Sequence, residues 1–334
     1  MKKILNDPFS YAAETLEGMV LAFPQHYAFA EASERVIVRP SGPAKGKVGI
    51  VTGGGSGHLP VFAGYVGEGL LDACAVGDVF ASPSAEEMAI AMRAADGGAG
   101  VLRLYGNYGG DVMNFDLAGE LVEMEGIESS TVLLADDVAS ASRDERDKRR
   151  GVAGMVFAFK IAGASAGRGD DLATVTRLAQ KAADAVLSMG VALSPCTVPQ
   201  VGKPTFEIGE TEMEVGMGIH GEPGVHRGPL ASADAIADAL LDPILAEQQP
   251  SSGAKVSLLL NSLGATPVEE LFILYRRVAR RLGDTGLTIV RPLVGRYATS
   301  MEMAGVSLTV LQLDDELEPL LAAPADCAFW TVAP

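Results

Sequence analysis

VGIVTGGGSGHLP, residues 48–60, decides the fold class. Its first five residues are apolar, β-branched or small, which reads as a strand buried on both faces. The glycines that follow permit positive φ and let backbone N–H groups approach a ligand closely. The same grammar recurs along the chain. VLRLY (101–105) and TVLLA (131–135) read as further buried strands, and VSLLLN (256–261), LTIV (287–290) and LTVLQL (308–313) repeat it later. Helical patterns separate them, so the expectation is an α/β protein of two α/β domains with largely parallel sheets.

The helices carry start signals. Ser84 and Glu87 form a capping-box pattern ahead of AEEMAIAMRAA. Thr266, Pro267 and Glu269 supply a cap, a first-turn proline and an early acid to VEELFILYRRVARRL. Residues 149–190 read as two helical segments broken at GRGDD. The three prolines of SPCTVPQVGKP (194–204) then introduce a glycine-punctuated pattern. The expected division is an N-terminal domain over 1–190 and a C-terminal domain over 191–334. ILAEQQPSSGAK (244–255) reads as a surface loop.

Composition narrows the partners. Twenty-six Lys+Arg against 43 Asp+Glu give a net charge of −17. A field of that sign repels nucleic acid backbones and anionic lipid. The longest apolar run, VAGMVFAF (152–159), is far shorter than a membrane span requires. MKKILNDPF does not read as a signal peptide. The three cysteines, Cys74, Cys196 and Cys327, form no CxxC pair, which suits a reducing cytoplasm.

Several motifs bear on chemistry. TGGGSGHLP (52–60) nearly fits G-x-G-x-x-G, but His58 replaces the last glycine, so an oxidoreductase reading rests on a broken fingerprint. No P-loop occurs. GNYGGDVMNFD (106–116) places Asp111 after a strand, either at a ligand site or as a helix cap. Asp136, Asp137, Asp314 and Asp315 read as solvated loop acids or caps more readily than as a metal site. HGEPGVH (220–226) lacks the spacing of a helical zinc pair, and no metal is expected. Its first histidine, His220, stands in GMGIHGEPG (216–224) among residues that form neither helix nor strand.

With those motifs placed, the chain resembles the substrate-binding subunit family of dihydroxyacetone kinases. TGGGSGH, NYGGDVMNFD, KRRGVAG, VALSPCTVPQVGKPTFEIGETEMEVGMGIHGEPG, NSLGATPVEEL and MAGVSLTVLQLDDE carry the resemblance nearly end to end. It implies a cytoplasmic two-domain homodimer in which His220 bonds covalently to a ketose carbonyl. It implies acid–base roles for His58 and Asp111, and substrate contacts from Gly55, Ser56, Gly57, Phe80 and Ser82, with Gly106 beside them. It implies no cofactor in this chain. ATP or ADP with Mg would sit on a separate nucleotide-binding L-type subunit, recharged in some systems by a phosphotransferase-system protein. A hemiaminal needs a carbonyl, so the bond would admit ketoses and reject polyols.

Two positions depart from the family pattern. Leu59 stands where glutamate is common, and Gly106 where lysine is common. Either they are drift in the shell around the site, with dihydroxyacetone as substrate, or they mark a larger ketose, such as four-carbon erythrulose, filling the space Gly106 leaves. A second reading, a ketose-sensing co-activator without kinase activity, is disfavoured by the presence of both His58 and Asp111.

Overall fold

The computed structural model describes residues 2–333. Two mixed sheets organise the chain. The first has β1 (Ala28–Ala30), β2 (Ser33–Val38), β3 (Gly49–Ser56), β4 (Ala73–Val79), β5 (Val101–Gly106) and β6 (Ser129–Leu134), in the order β1-β2-β4-β3-β5-β6. Its β4, β3, β5 and β6 run parallel, and only the β1–β2 and β2–β4 pairings are antiparallel. Around it pack α1 (Tyr11–Ala22), α2 (Ala85–Ala95), α3 (Gly109–Glu123), α4 (Met155–Gly167) and α5 (Leu172–Ala185).

The second sheet departs from expectation. It comprises β7 (Val186–Ala192), β8 (Glu212–Val215), β9 (His226–Pro229), β10 (Lys255–Ser262), β11 (Thr288–Ile289), β12 (Leu293–Gly295) and β13 (Gly305–Leu313). Its long strands β10, β13 and β7 pair antiparallel, as do β8 and β9; only β11 and β12 lie parallel to β10. "Largely parallel" therefore holds for the first sheet and fails for the second. Helices cover this sheet as well, so its strands are as uniformly apolar as parallel ones. α6 (Ala233–Gln248) and α7 (Val268–Asp284) pack on it, and α8 (Leu317–Ala322) returns to α4.

Local rules explain most element starts. Ser84 and Glu87 complete both halves of the capping box on α2. Asp171 caps α5, accepting from the Thr174 N–H at 2.8 Å. α4 is buried on every side. Its Lys160 survives there by donating to the Leu320 carbonyl at 2.7 Å. Thr266 is not the cap of α7. Pro267 holds that position, and the Thr266 hydroxyl instead exchanges two 2.8 Å hydrogen bonds with the backbone of Gly305. The acids after β6 are not solvated: Asp136 accepts from the Val152 and Gly154 N–H groups at 2.9 and 2.8 Å.

The cut expected between residues 190 and 191 falls inside β7, so a division by sheets runs before Val186. The C-terminal stretch also crosses over: Leu313, Leu317, Leu320, Leu321 and Cys327 join the core of the first sheet. All three cysteines are free and buried. No helix among the described residues is long and apolar enough to cross a membrane.

Candidate active site

The glycine run begins inside β3, which continues through Ser56. Close packing requires this. A Cβ at Gly54 would stand 2.1 Å from the Phe62 ring, and one at Gly55 2.7 Å from the Ala81 nitrogen. The chain then turns at Gly57, with φ of 102°, and is tied to the second unit. The Met301 N–H donates to the Gly57 carbonyl at 2.7 Å, and that of Thr299 to the His58 carbonyl at 3.2 Å. The loop that follows the first sheet's central strand is thus also a seam between the two halves.

His58 is fixed in this seam. Its Nδ1–H donates to the Thr299 carbonyl at 2.7 Å, leaving Nε2 as a buried acceptor with no partner among the described residues. Burial, with His220 nearby, pulls its pKa down to about 3 against the opposing pull of Thr299. Its ring stacks on Phe80 with centroids 4.8 Å apart. Phe80 adopts φ of 57° to do so, a left-handed conformation that costs a non-glycine residue about 1–2 kcal/mol.

Asp111 sits in the first turn of α3, behind the carboxyl end of β5. Tyr108 is the N-cap, so the helix-cap alternative for Asp111 does not hold. The carboxyl is buried and accepts from the Ser82 hydroxyl. Burial raises its pKa to about 6, with the Ser82 hydrogen bond and His220 acting in the opposite direction. Asp111 is therefore ionised at neutral pH yet poised to take a proton. His58, held near 3, is the far weaker base and serves as an acceptor.

His220 arrives on the loop between β8 and β9. Its Nδ1–H donates to Glu222 Oε1 at 2.9 Å, and its backbone N–H to Oε2 at 3.0 Å. Burial alone would raise Glu222, but the hydrogen bond and charge of His220 outweigh it and hold the carboxyl at about 2. An ionised carboxylate can only accept, so Nδ1 carries a proton, and in the neutral imidazole Nε2 is the nitrogen with the free lone pair. Gly218 explains the glycine content of this loop, since a Cβ there would lie 2.1 Å from Glu222 Oε2 and 2.5 Å from Arg150 Nη1. Arg150 anchors the loop to the first half. It donates to Asp137 at 2.9 Å and to the Gly216 carbonyl at 3.1 Å, and its Nη1 lies 3.8 Å from Glu222.

The three groups converge. The His220 ring meets those of His58 and Tyr108 edge-on at 4.8 Å and that of Phe80 at 5.3 Å. A cavity of about 400 Å³ opens between Gly55, Phe62, Phe80, Ser82, the turn Tyr108–Asp111 and His220. Of the expected contacts, Gly55, Phe80 and Ser82 line it. Ser56, Gly57 and His58 line an adjoining cavity of about 370 Å³ behind the glycine loop. Leu59 faces that second space and packs against the first core. Gly106 leaves no room for a substrate: its Cβ position is 3.2 Å from both the Gly151 carbonyl and Met155 Sδ. The space inferred there from sequence is already filled. Sequence reasoning missed Glu222, Arg150 and Phe62. Glu222 was findable, as the one carboxylate within two residues of a histidine that must keep one nitrogen unprotonated. Among the described residues no cluster of metal-ligating side chains occurs.

The Dak1 domain family signature matches residues 17–329 of the chain. The chain belongs to the Dak1 domain family. This Dak1 chain is 46% identical over 332 residues to the dihydroxyacetone-binding subunit DhaK of the PTS-dependent dihydroxyacetone kinase 2 of Listeria innocua, covering 99% of this chain and 100% of that one. It is 46% identical over 326 residues to D-erythrulose kinase of Mycolicibacterium smegmatis, covering 98% of this chain but only 56% of that enzyme. Among solved structures it is similar to dihydroxyacetone kinase from C. freundii in complex with AMP-PNP and Mg2+, with a TM-score of 0.90 and 32% identity. That match spans 99% of this chain and 61% of the other.

Proposed function

We propose that this Dak1 chain is the ketose-binding subunit of a dihydroxyacetone-type kinase, a cytoplasmic phosphotransferase acting on dihydroxyacetone or a four-carbon ketose such as erythrulose. The observation that carries the reading is the Nδ1–H of His220 held on Glu222, which frees Nε2 at the wall of a cavity that also holds Asp111.

In this reading Nε2 adds to the ketose carbonyl. The C–N bond forms as the C=O π bond breaks, and the proton that Nδ1 gives up, relayed through Glu222 and solvent, ends on the former carbonyl oxygen, leaving a neutral hemiaminal and an ionised Glu222. A short sugar has too little apolar surface to bind by burial at about 25 cal/mol per Å². A reversible bond supplies the missing affinity and rejects glycerol, which has no carbonyl. Asp111 then takes the proton of the terminal hydroxyl, while His58 Nε2 accepts a hydrogen bond from the sugar and orients it. The phosphoryl group comes from ATP, or from ADP recharged by a phosphotransferase-system protein, held with Mg by an L-type partner subunit outside this chain. The Dak1 chain itself pairs as a homodimer.

The test is ¹³C NMR with 2-¹³C-dihydroxyacetone and 2-¹³C-erythrulose. The carbonyl resonance moves to the tetrahedral range with the native chain and does not move with His220→Ala. An unmoved resonance with the native chain at saturating sugar overturns the reading. An adduct without phosphoryl transfer, in the presence of a nucleotide-bearing partner, identifies the co-activator instead.

A further inference from the structure

The cavity's glycines are not equivalent. Gly55 is demanded by the Ala81 backbone. Gly110 is demanded by Ser82, whose Cβ would lie 3.2 Å from an added methyl and whose hydroxyl serves Asp111. Gly109 differs. Its φ is not in the left-handed region, and a Cβ built on it meets nothing within 4 Å. It is the first residue of α3, it is exposed, and it lines the same cavity. Neither backbone geometry nor packing requires glycine here, and the open Cβ position lies in the wall of the cavity, two residues before the carboxylate of Asp111. The cavity volume, about 400 Å³, also lies within the range of pockets that hold ligands much larger than a triose.

We propose that Gly109 sets the length of the sugar chain that the site admits, and that the absent side chain leaves room for the fourth carbon and hydroxyl of a tetrulose. This rests on the ketose reading above and assigns its specificity to a position other than Leu59 or Gly106. The bonded carbonyl is pinned at His220 and the reacting hydroxyl faces Asp111, so any extra carbon must project along the remaining wall. Gly109 is the residue on that wall with an unfilled Cβ position.

The experiment is a ladder of substitutions, Gly109→Ala, Gly109→Thr and Gly109→Leu, each measured for adduct affinity by the ¹³C carbonyl shift. Dihydroxyacetone and each erythrulose enantiomer are titrated separately. This readout needs no partner subunit. The ratio of erythrulose Kd to dihydroxyacetone Kd is expected to rise stepwise, reaching at least tenfold for leucine, the scale on which pockets discriminate single carbons. Gly109→Ala guards against misfolding, because alanine favours the helix and adds only one carbon. A ratio that stays within twofold across the ladder, whether both sugars weaken together or neither does, overturns the assignment while leaving the ketose reading intact. No adduct with either sugar in the native chain overturns both.

Discussion

The two sides of the cavity are built by opposite means. Asp111 and the glycine loop stand at the carboxyl ends of β5 and β3, on hydrogen-bonded elements whose conformations are dictated by packing. His220 stands on an irregular loop between two four-residue strands, and polar contacts hold it: Glu222 on its Nδ1–H and Arg150 on the loop backbone. The difference matches what the proposed reaction asks of each side. A base that takes a proton from a bound hydroxyl needs a fixed position and a tuned pKa. A nucleophile that forms and breaks a bond to each substrate needs a defined tautomer and freedom to reposition. Ligand sites at the carboxyl ends of parallel strands are a general feature of α/β sheets. The second side has no such template and owes its geometry to a handful of charges.

Substitutions can separate the two sides. The largest effect falls on the loop: His220→Ala abolishes the adduct, read as loss of the tetrahedral ¹³C signal at every sugar concentration. Retention of that signal would move the covalent role elsewhere. Next, Asp111→Asn lowers phosphoryl transfer by about 10²–10⁴ while the adduct persists, because general base catalysis is worth that much. The same carboxyl gives the native enzyme its acid limb. With its pKa raised to about 6, transfer falls as the pH drops through that value, and Asp111→Asn removes the limb. If Asp111→Asn also destroys the adduct, the two sides are not separable.

Glu222→Gln comes third. A carboxamide can present a donor to Nδ1 and displace its proton to the wrong nitrogen, so adduct affinity drops roughly 10- to 100-fold, the cost of a lost charge-assisted hydrogen bond. Glu222→Asp shortens the reach and gives a partial effect. Equal affinity in all three would show that the tautomer is set by something else.

The sequence carried this contrast unevenly. β3, β5, β6, β10 and β13 were legible as short, predominantly apolar runs, and α2 through its capping box. β7 was not, because VLSMG follows α5 without a glycine or proline and continues its apolar pattern. The antiparallel order of the second sheet was also hidden, since strands covered on both faces look alike in either direction. In the site, Asp111 and His58 stood out because glycines next to strand ends mark ligand approaches. The Glu222 contact is an i, i+2 pair in a loop without periodicity, and the Arg150 anchor joins residues 66 positions apart in sequence. Neither leaves a pattern that spacing alone can reveal. The volume at Gly106 could not be judged from composition, since Met155 Sδ, which fills it, comes from a distant helix.

The smallest effect is one of stability, and its sign is the informative part. Asp111 is buried and its folded-state pKa is raised from 3.8 to about 6. The native state therefore binds more protons than the unfolded state between those values, and stability falls as pH rises through that window. Above pH 6 the full penalty of a buried carboxylate is present. Asp111→Asn removes the charge but keeps an acceptor for Ser82, so it should raise the stability at pH 7.5 by on the order of 1–3 kcal/mol. The gain should vanish near pH 4, where the native carboxyl is already protonated. Urea unfolding of both proteins at the two pH values measures it. A gain present at both would point to packing rather than charge. A loss at pH 7.5 would mean that the Ser82 bond and the α3 dipole outweigh burial, and that the site's base is stabilised by the fold rather than imposed on it.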